Sequence, residues 1–163
     1  MYRHVGAITA PNGRIGGALS DARHIGYTFA NMAAAGLTSE RTVELPATAA
    51  AAGIARRELA STPGIAGDLG YRVLLMASEL IAVFVADVEP RPDRVLCMSV
   101  LVTPERVRIE VTGPPPEVSP DTLLHSRETP SLGGMGLQIV ERMAGAWGVQ
   151  GEGNAQIWFE LAR

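Results

Sequence analysis

The sequence predicts an α+β fold: a two-layer α/β sandwich in which a mixed, mainly antiparallel sheet carries its helices on one face. Three observations lead there. The periodic segments run strand, helix, helix, strand, strand, helix, strand, strand. Adjacent strands are joined closely enough to form hairpins, and the helical patterns are segregated from those hairpins instead of alternating with every strand as in a doubly wound parallel sheet. The 163 residues, 47% hydrophobic and 19% charged, suffice to bury one full core.

Residues 41–45 read as a short strand stopped by Pro46, and residues 47–61 as an alanine-rich helix ending ahead of Thr62, Pro63 and Gly64. A longer helix spans 68–88. Its apolar stripe of Leu69, Val73, Met76, Leu80, Val83 and Phe84 keeps a helical period, and Pro90 and Pro92 follow its end. Residues 94–102 and 106–112 form a hairpin around Thr103, Pro104 and Glu105, with Val107, Ile109 and Val111 alternating against Arg108, Glu110 and Thr112. The stretch 113–132 holds five prolines and no periodic pattern, a connection long enough to imply a functional loop. A third helix opens at Gly133, Gly134, Met135 and Gly136 and places Leu137, Val140, Met143, Ala144 and Trp147 on one face; strands at 149–150 and 155–161 close the chain.

Residues 1–40 read as a separate N-terminal extension, rich in Gly and Ala and without a strand. Leu19, Ala22, Ile25, Phe29 and Met32 recur there at roughly helical spacing, and Met32 is also a candidate translation start. In the strand 94–102 both faces are largely apolar: Val95, Cys97 and Leu101 with Ser99 on one, Leu96, Met98, Val100 and Val102 on the other. Such a strand needs cover twice. Helices cover one face, and the other is expected to lie under the N-terminal segment or a second copy in a homodimer.

Composition removes several classes of chemistry. All fourteen basic residues are arginines, which excludes mechanisms built on a lysine, among them the P-loop and Schiff-base catalysis. A net charge of -3 offers no basic field to nucleic acid. The longest greasy run, 73–86, is too short to cross a bilayer and contains Ser78 and Glu79. The single Cys97 excludes an internal disulfide framework and fits a reducing, cytoplasmic setting.

Two places could carry chemistry. Glycines at 133, 134 and 136 let backbone approach a ligand, and the unpaired N–H groups of a helix start favour a phosphate; the plain alternative is a flexible start to the helix. Glu79 falls at the edge of the apolar stripe, in line with Asp68 and Arg72, and is either functional or an edge residue that is solvated or paired to Arg72. His4, His24 and His125 are too scattered for a metal triad, and Cys97 alternates with core positions.

These pieces together resemble a known family. Leu74-Leu75-Met76-Ala77-Ser78-Glu79-Leu80-Ile81, a hairpin, a loop, then Gly133-Gly134-Met135-Gly136-Leu137-Gln138-Ile139-Val140, Trp147-Gly148-Val149 and Ile157-Trp158-Phe159-Glu160-Leu161 are similar to the GHKL, or histidine kinase-like, ATPase domain with its Bergerat-type fold. The branch resembled is that of the anti-sigma-factor serine/threonine kinases, over residues 41–163. The resemblance implies that Glu79 is the catalytic glutamate that activates a serine hydroxyl, that Gly133, Gly134, Gly136 and Leu137 belong to the ATP-binding glycine box, and that the Pro-rich loop is the ATP lid.

Two positions depart from that pattern. Val83 stands where the family has an asparagine for magnesium, and a valine has no lone pair for a hard cation. Gly113 stands where it has the aspartate that reads adenine, on the face shared with Val107, Ile109 and Val111. Pro114, Pro115 and Pro116 then replace a flexible glycine segment. The expectation is a transcription regulator degenerate in ATP use, a pseudoenzyme that binds ATP weakly or not at all, holds no magnesium, and works by contact with a sigma factor or an anti-sigma factor antagonist. The alternative is an active ATP-dependent kinase that phosphorylates such an antagonist.

Overall fold

The computed structural model describes residues 8–9, 36, 39–85, 93–114, 134–150 and 154–163. Its elements are β1 (Ile8–Thr9), β2 (Ser39–Pro46), α1 (Ala50–Ala60), α2 (Gly67–Val85), β3 (Val95–Val102), β4 (Arg106–Gly113), α3 (Gly134–Met143), β5 (Ala146–Gln150) and β6 (Ala155–Ala162). The strands form one sheet in the order β1-β5-β6-β4-β3-β2, and every neighbouring pair is antiparallel. The fold is the expected α+β two-layer sandwich, its mainly antiparallel sheet now antiparallel throughout the described pairs.

α2 is the central helix, packing against α1 on one side and α3 on the other and reaching β4 and β6 beneath it. Its buried residues Val73, Met76, Ala77, Leu80, Ile81, Val83 and Phe84 widen the expected stripe, while Leu69 sits half-buried at its rim. α1 buries Ala51, Ala55 and Leu59, four residues apart, so that one line of small side chains lets it lie close to α2. The hydroxyls of Ser61 and Thr62 donate to the Glu58 carbonyl at 2.8 and 2.9 Å, serving the carbonyls that a helix end leaves open. Gly64 (φ 88°) and Gly67 (φ 59°) then take the left-handed conformations that turn the chain into α2.

Cross-strand register sorts the sheet residues onto two faces. Val43, Met98, Val111, Ile157 and Val149 make one row towards the helices, and Arg41, Val100, Ile109, Phe159 and Trp147 the next. Their buried members join the helix stripes in a single core. On the opposite face a row runs Glu40, Leu101, Arg108, Glu160, Ala146 and Thr9, flanked by Thr42, Ser99, Glu110, Trp158 and Gly148.

The structure corrects several expected boundaries. β2 starts at Ser39 and includes Pro46; it is an edge strand, where a residue without an N–H is tolerated. α1 begins only at Ala50. Residues 8–9, within the stretch read as strandless, pair with Trp147 and Ala146 of β5. Trp147 lies in β5 and not on the third helix: α3 ends at Met143, and the Gly145 N–H donates to the Glu160 carbonyl at 2.8 Å. The helical pattern at 19–32 and most of the Pro-rich loop lie outside the described residues. Among the described residues no helix is long and apolar enough to cross a membrane.

Candidate functional site

The site candidates meet along one side of α2. Glu79 projects from α2 towards the first turn of α3, and Gly136 lies directly against it. A Cβ placed on Gly136 would overlap Glu79 Oε2 and stand 3.1 Å from both the Cβ and the Cδ of Glu79. Only a glycine leaves that carboxylate room in its present position. The glutamate and the glycine turn, distant in sequence, are thus brought together; Gly134 is the first residue of α3, and Gly133 lies outside the described residues.

The electrostatics of Glu79 follow from its setting. It is half-buried, and loss of solvent pushes its carboxyl above the ordinary glutamate value, since the charged form is the one that burial penalises. Of the two plain readings of Glu79, pairing to Arg72 does not describe the structure, whereas a partly solvated edge glutamate does. Arg72 Nη2 instead donates to the Met143 carbonyl at 2.6 Å, where a cation meets the negative end of α3. That bond ties α2 to the end of α3, a role that sequence spacing did not reveal.

One turn further along α2, the surroundings change. Val83 is 2% exposed and belongs to the hydrophobic core. Gly113 is buried at the end of β4, and a Cβ there would come within 2.5 Å of Leu96 Cδ2 and 3.1 Å of Phe84 Cδ1. The direction of position 113 agrees with the alternation in β4, but the space in front of it is filled. Leu96 and Phe84 are the residues that sequence reasoning missed. Phe84 lies in the helical stripe next to Val83, yet nothing in the spacing ties Leu96 to Gly113.

Neither a magnesium ion nor an adenine ring fits these residues. Position 83 supplies no oxygen and faces the core; position 113 supplies no acceptor and has no volume before it. Among the described residues no group of three His, Cys, Asp or Glu side chains could hold a metal. Leu137 is fully buried in the core, so its side chain anchors α3 and leaves only its backbone to a ligand. Met135, at the start of α3, is 65% exposed. Cys97 is a free thiol, half-buried on the face away from the helices. The chain matches no protein-family model, and a search of curated proteins likewise finds no match.

Proposed function

We propose that this chain is a cytoplasmic regulatory protein of the anti-sigma factor type, built on a histidine kinase-like ATPase domain, that has lost competent ATP use and acts by binding a sigma factor, an anti-sigma factor antagonist, or both. The observation that carries this reading is the apolar filling at Gly113. A base-reading pocket that had lost only its carboxylate would be open there, whereas Leu96 and Phe84 occupy the space and Val83 is sealed into the same core. Such a filled region favours protein contact over nucleotide chemistry.

Calorimetric titration of the native chain with ATP, with and without magnesium, tests the reading. No binding, or binding in the millimolar range that magnesium does not improve, is expected. Magnesium-dependent binding at micromolar strength overturns it.

One observation favours the alternative, an active serine/threonine kinase. Glu79 is a half-buried carboxyl with a raised proton affinity, set against a glycine turn, and a general base is most effective when its pKa lies near the working pH. Transfer of labelled phosphate from ATP to an antagonist, lost in Glu79→Gln, would establish that reading.

A further inference from the structure

The middle of the sheet face turned away from the helices is buried, although no described helix lies on it; towards the β2 edge Glu40, Thr42, Glu44 and Val95 are exposed. Leu101 is 2% exposed yet stands outside the main core, and beside it Arg108 is 3%, Glu110 4% and Gln156 6% exposed. Arg108 donates to Glu160 Oε1 at 3.0 Å and to Glu110 Oε2 at 3.2 Å. Its guanidinium stacks 3.9 Å from the centroid of the Trp158 ring. That indole lies down over Gly148, where a Cβ would come within 3.0 Å of it. Gln156 donates to Glu110 Oε1, and Gln150 to Gln156 Oε1. Arg108 Nε, also buried, has no acceptor. Charges at this depth on an open sheet face would be solvated, so a covering layer is required.

The topology says which chain can supply it. β1 and β2 form opposite edges of the sheet, and the row Thr9, Ala146, Glu160, Arg108, Leu101, Glu40 runs from one to the other on this face. Residues 10–38 join its two ends and must span the width of the sheet, about 24 Å at the usual strand spacing. The other face is already occupied by α1, α2 and α3. A helix from Leu19 to Met32 would span about 21 Å, leaving short connections at both ends. Its stripe of Leu19, Ala22, Ile25, Phe29 and Met32 offers the apolar surface that Leu101 lacks.

Charge agrees: the helix-free face carries Glu40, Glu44, Glu110 and Glu160 against Arg106 and Arg108, while 10–38 carries Arg14 and Arg23 against Asp21. We propose that residues 10–38 of the same chain dock across the helix-free face, stripe inward over the Leu101–Arg108 row, and so occupy the surface that a homodimer or a partner would otherwise use. This holds independently of the regulatory reading above.

Cys97, the only cysteine, lies on this face in the row with Glu44, Thr112 and Gln156 and serves as a built-in reporter. A second cysteine is introduced in the full chain at Ala22→Cys, Ile25→Cys or Phe29→Cys, and on the opposite side of the stripe at Ser20→Cys, Tyr27→Cys or Asn31→Cys. Mild oxidation at low micromolar concentration is read on non-reducing gels. An intramolecular disulfide in at least one stripe variant and in none of the others is expected. Cross-linked dimers in the stripe variants, or no cross-link in any, overturn the proposal. As a second measurement, Phe29→Asp should speed alkylation of Cys97 at least tenfold while circular dichroism still reports a folded sheet. An unchanged rate in that folded variant, or native Cys97 reacting as fast as in urea, also overturns it; should Phe29→Asp not fold, the disulfide pattern and the native rate decide.

Discussion

Two regions beside α2, a turn apart, differ in kind. At Glu79 and Gly136 the chain keeps a polar group in contact with a bare backbone, and space there is set by the absence of a single Cβ. At Val83 and Gly113, one helical turn away, Leu96 and Phe84 fill the space. The first region keeps a polar group against bare backbone, while the second belongs to the core. Interiors are close-packed and leave few voids, so a polar side chain introduced at such a position finds no room of its own.

Gly113→Asp puts the difference under the greatest strain. The new Cβ meets Leu96 and Phe84 at van der Waals overlap, and the carboxylate behind it enters an apolar region without a partner. Overpacking and a buried unpaired charge together should cost about 4 kcal/mol or more, read as a fall in the denaturation midpoint. A variant of near-native stability that gains ATP affinity would mean that this region is open after all, and the contrast would collapse.

Val83→Asn is the next most severe. It exchanges a valine that is 2% exposed in the core for an amide lacking hydrogen-bond partners, at about 2–3 kcal/mol. No magnesium-dependent stabilisation should accompany it, and a rise in thermal midpoint on adding millimolar magnesium would place position 83 in a cation site.

Gly136→Ala sharpens the other side of the contrast. An alanine in a helix is worth up to about 1 kcal/mol over glycine, but here its methyl group displaces the Glu79 carboxylate. The substitution should cost stability in the native chain and cost less, by about 0.5–1 kcal/mol, in a Glu79→Ala background, where the carboxylate is gone and only the Cβ contact at 3.1 Å remains. A double-mutant cycle measures that coupling directly, and additivity within error would show that the two residues do not touch.

How far the sequence foretold this depends on the range of the contact involved. The order of elements and the α2 stripe were legible because local periodicity carries them. Trp147 was misplaced because 140, 143, 144 and 147 fit a helical period, and that period is blind to the sheet bond at Gly145 that ends the helix. β1 is two residues long and has no pattern to read. Arg108 and Glu110 alternate as outward-facing residues should, yet both are buried, beside β6 in a pairing that no local pattern announces. The Glu79–Gly136 approach was suggested by family resemblance and by nothing in spacing, and the filling at Gly113 joins three separate elements that no local signal connects.

Glu79→Gln is the smallest expected effect and the one that isolates electrostatics from space. Burial raises the carboxyl's pKa in the folded chain above its value of 4.5 in the unfolded one, so the folded state binds the proton more tightly. Stability therefore falls as pH rises through the interval between the two values and remains lower at neutral pH. Glutamine keeps the shape without the charge. It should stabilise the protein at pH 7–8 by no more than about 0.5 kcal/mol, because the group is only half-buried. The advantage should shrink as pH drops below the unfolded value, where the native glutamate is protonated in both states. Thermal melts of both chains from pH 4 to 8 test the sign. A glutamine variant less stable at neutral pH than at pH 4, relative to the native chain, would mean that the Glu79 charge is stabilised by a partner, and the polar region would then be a bound ion pair instead of an open site.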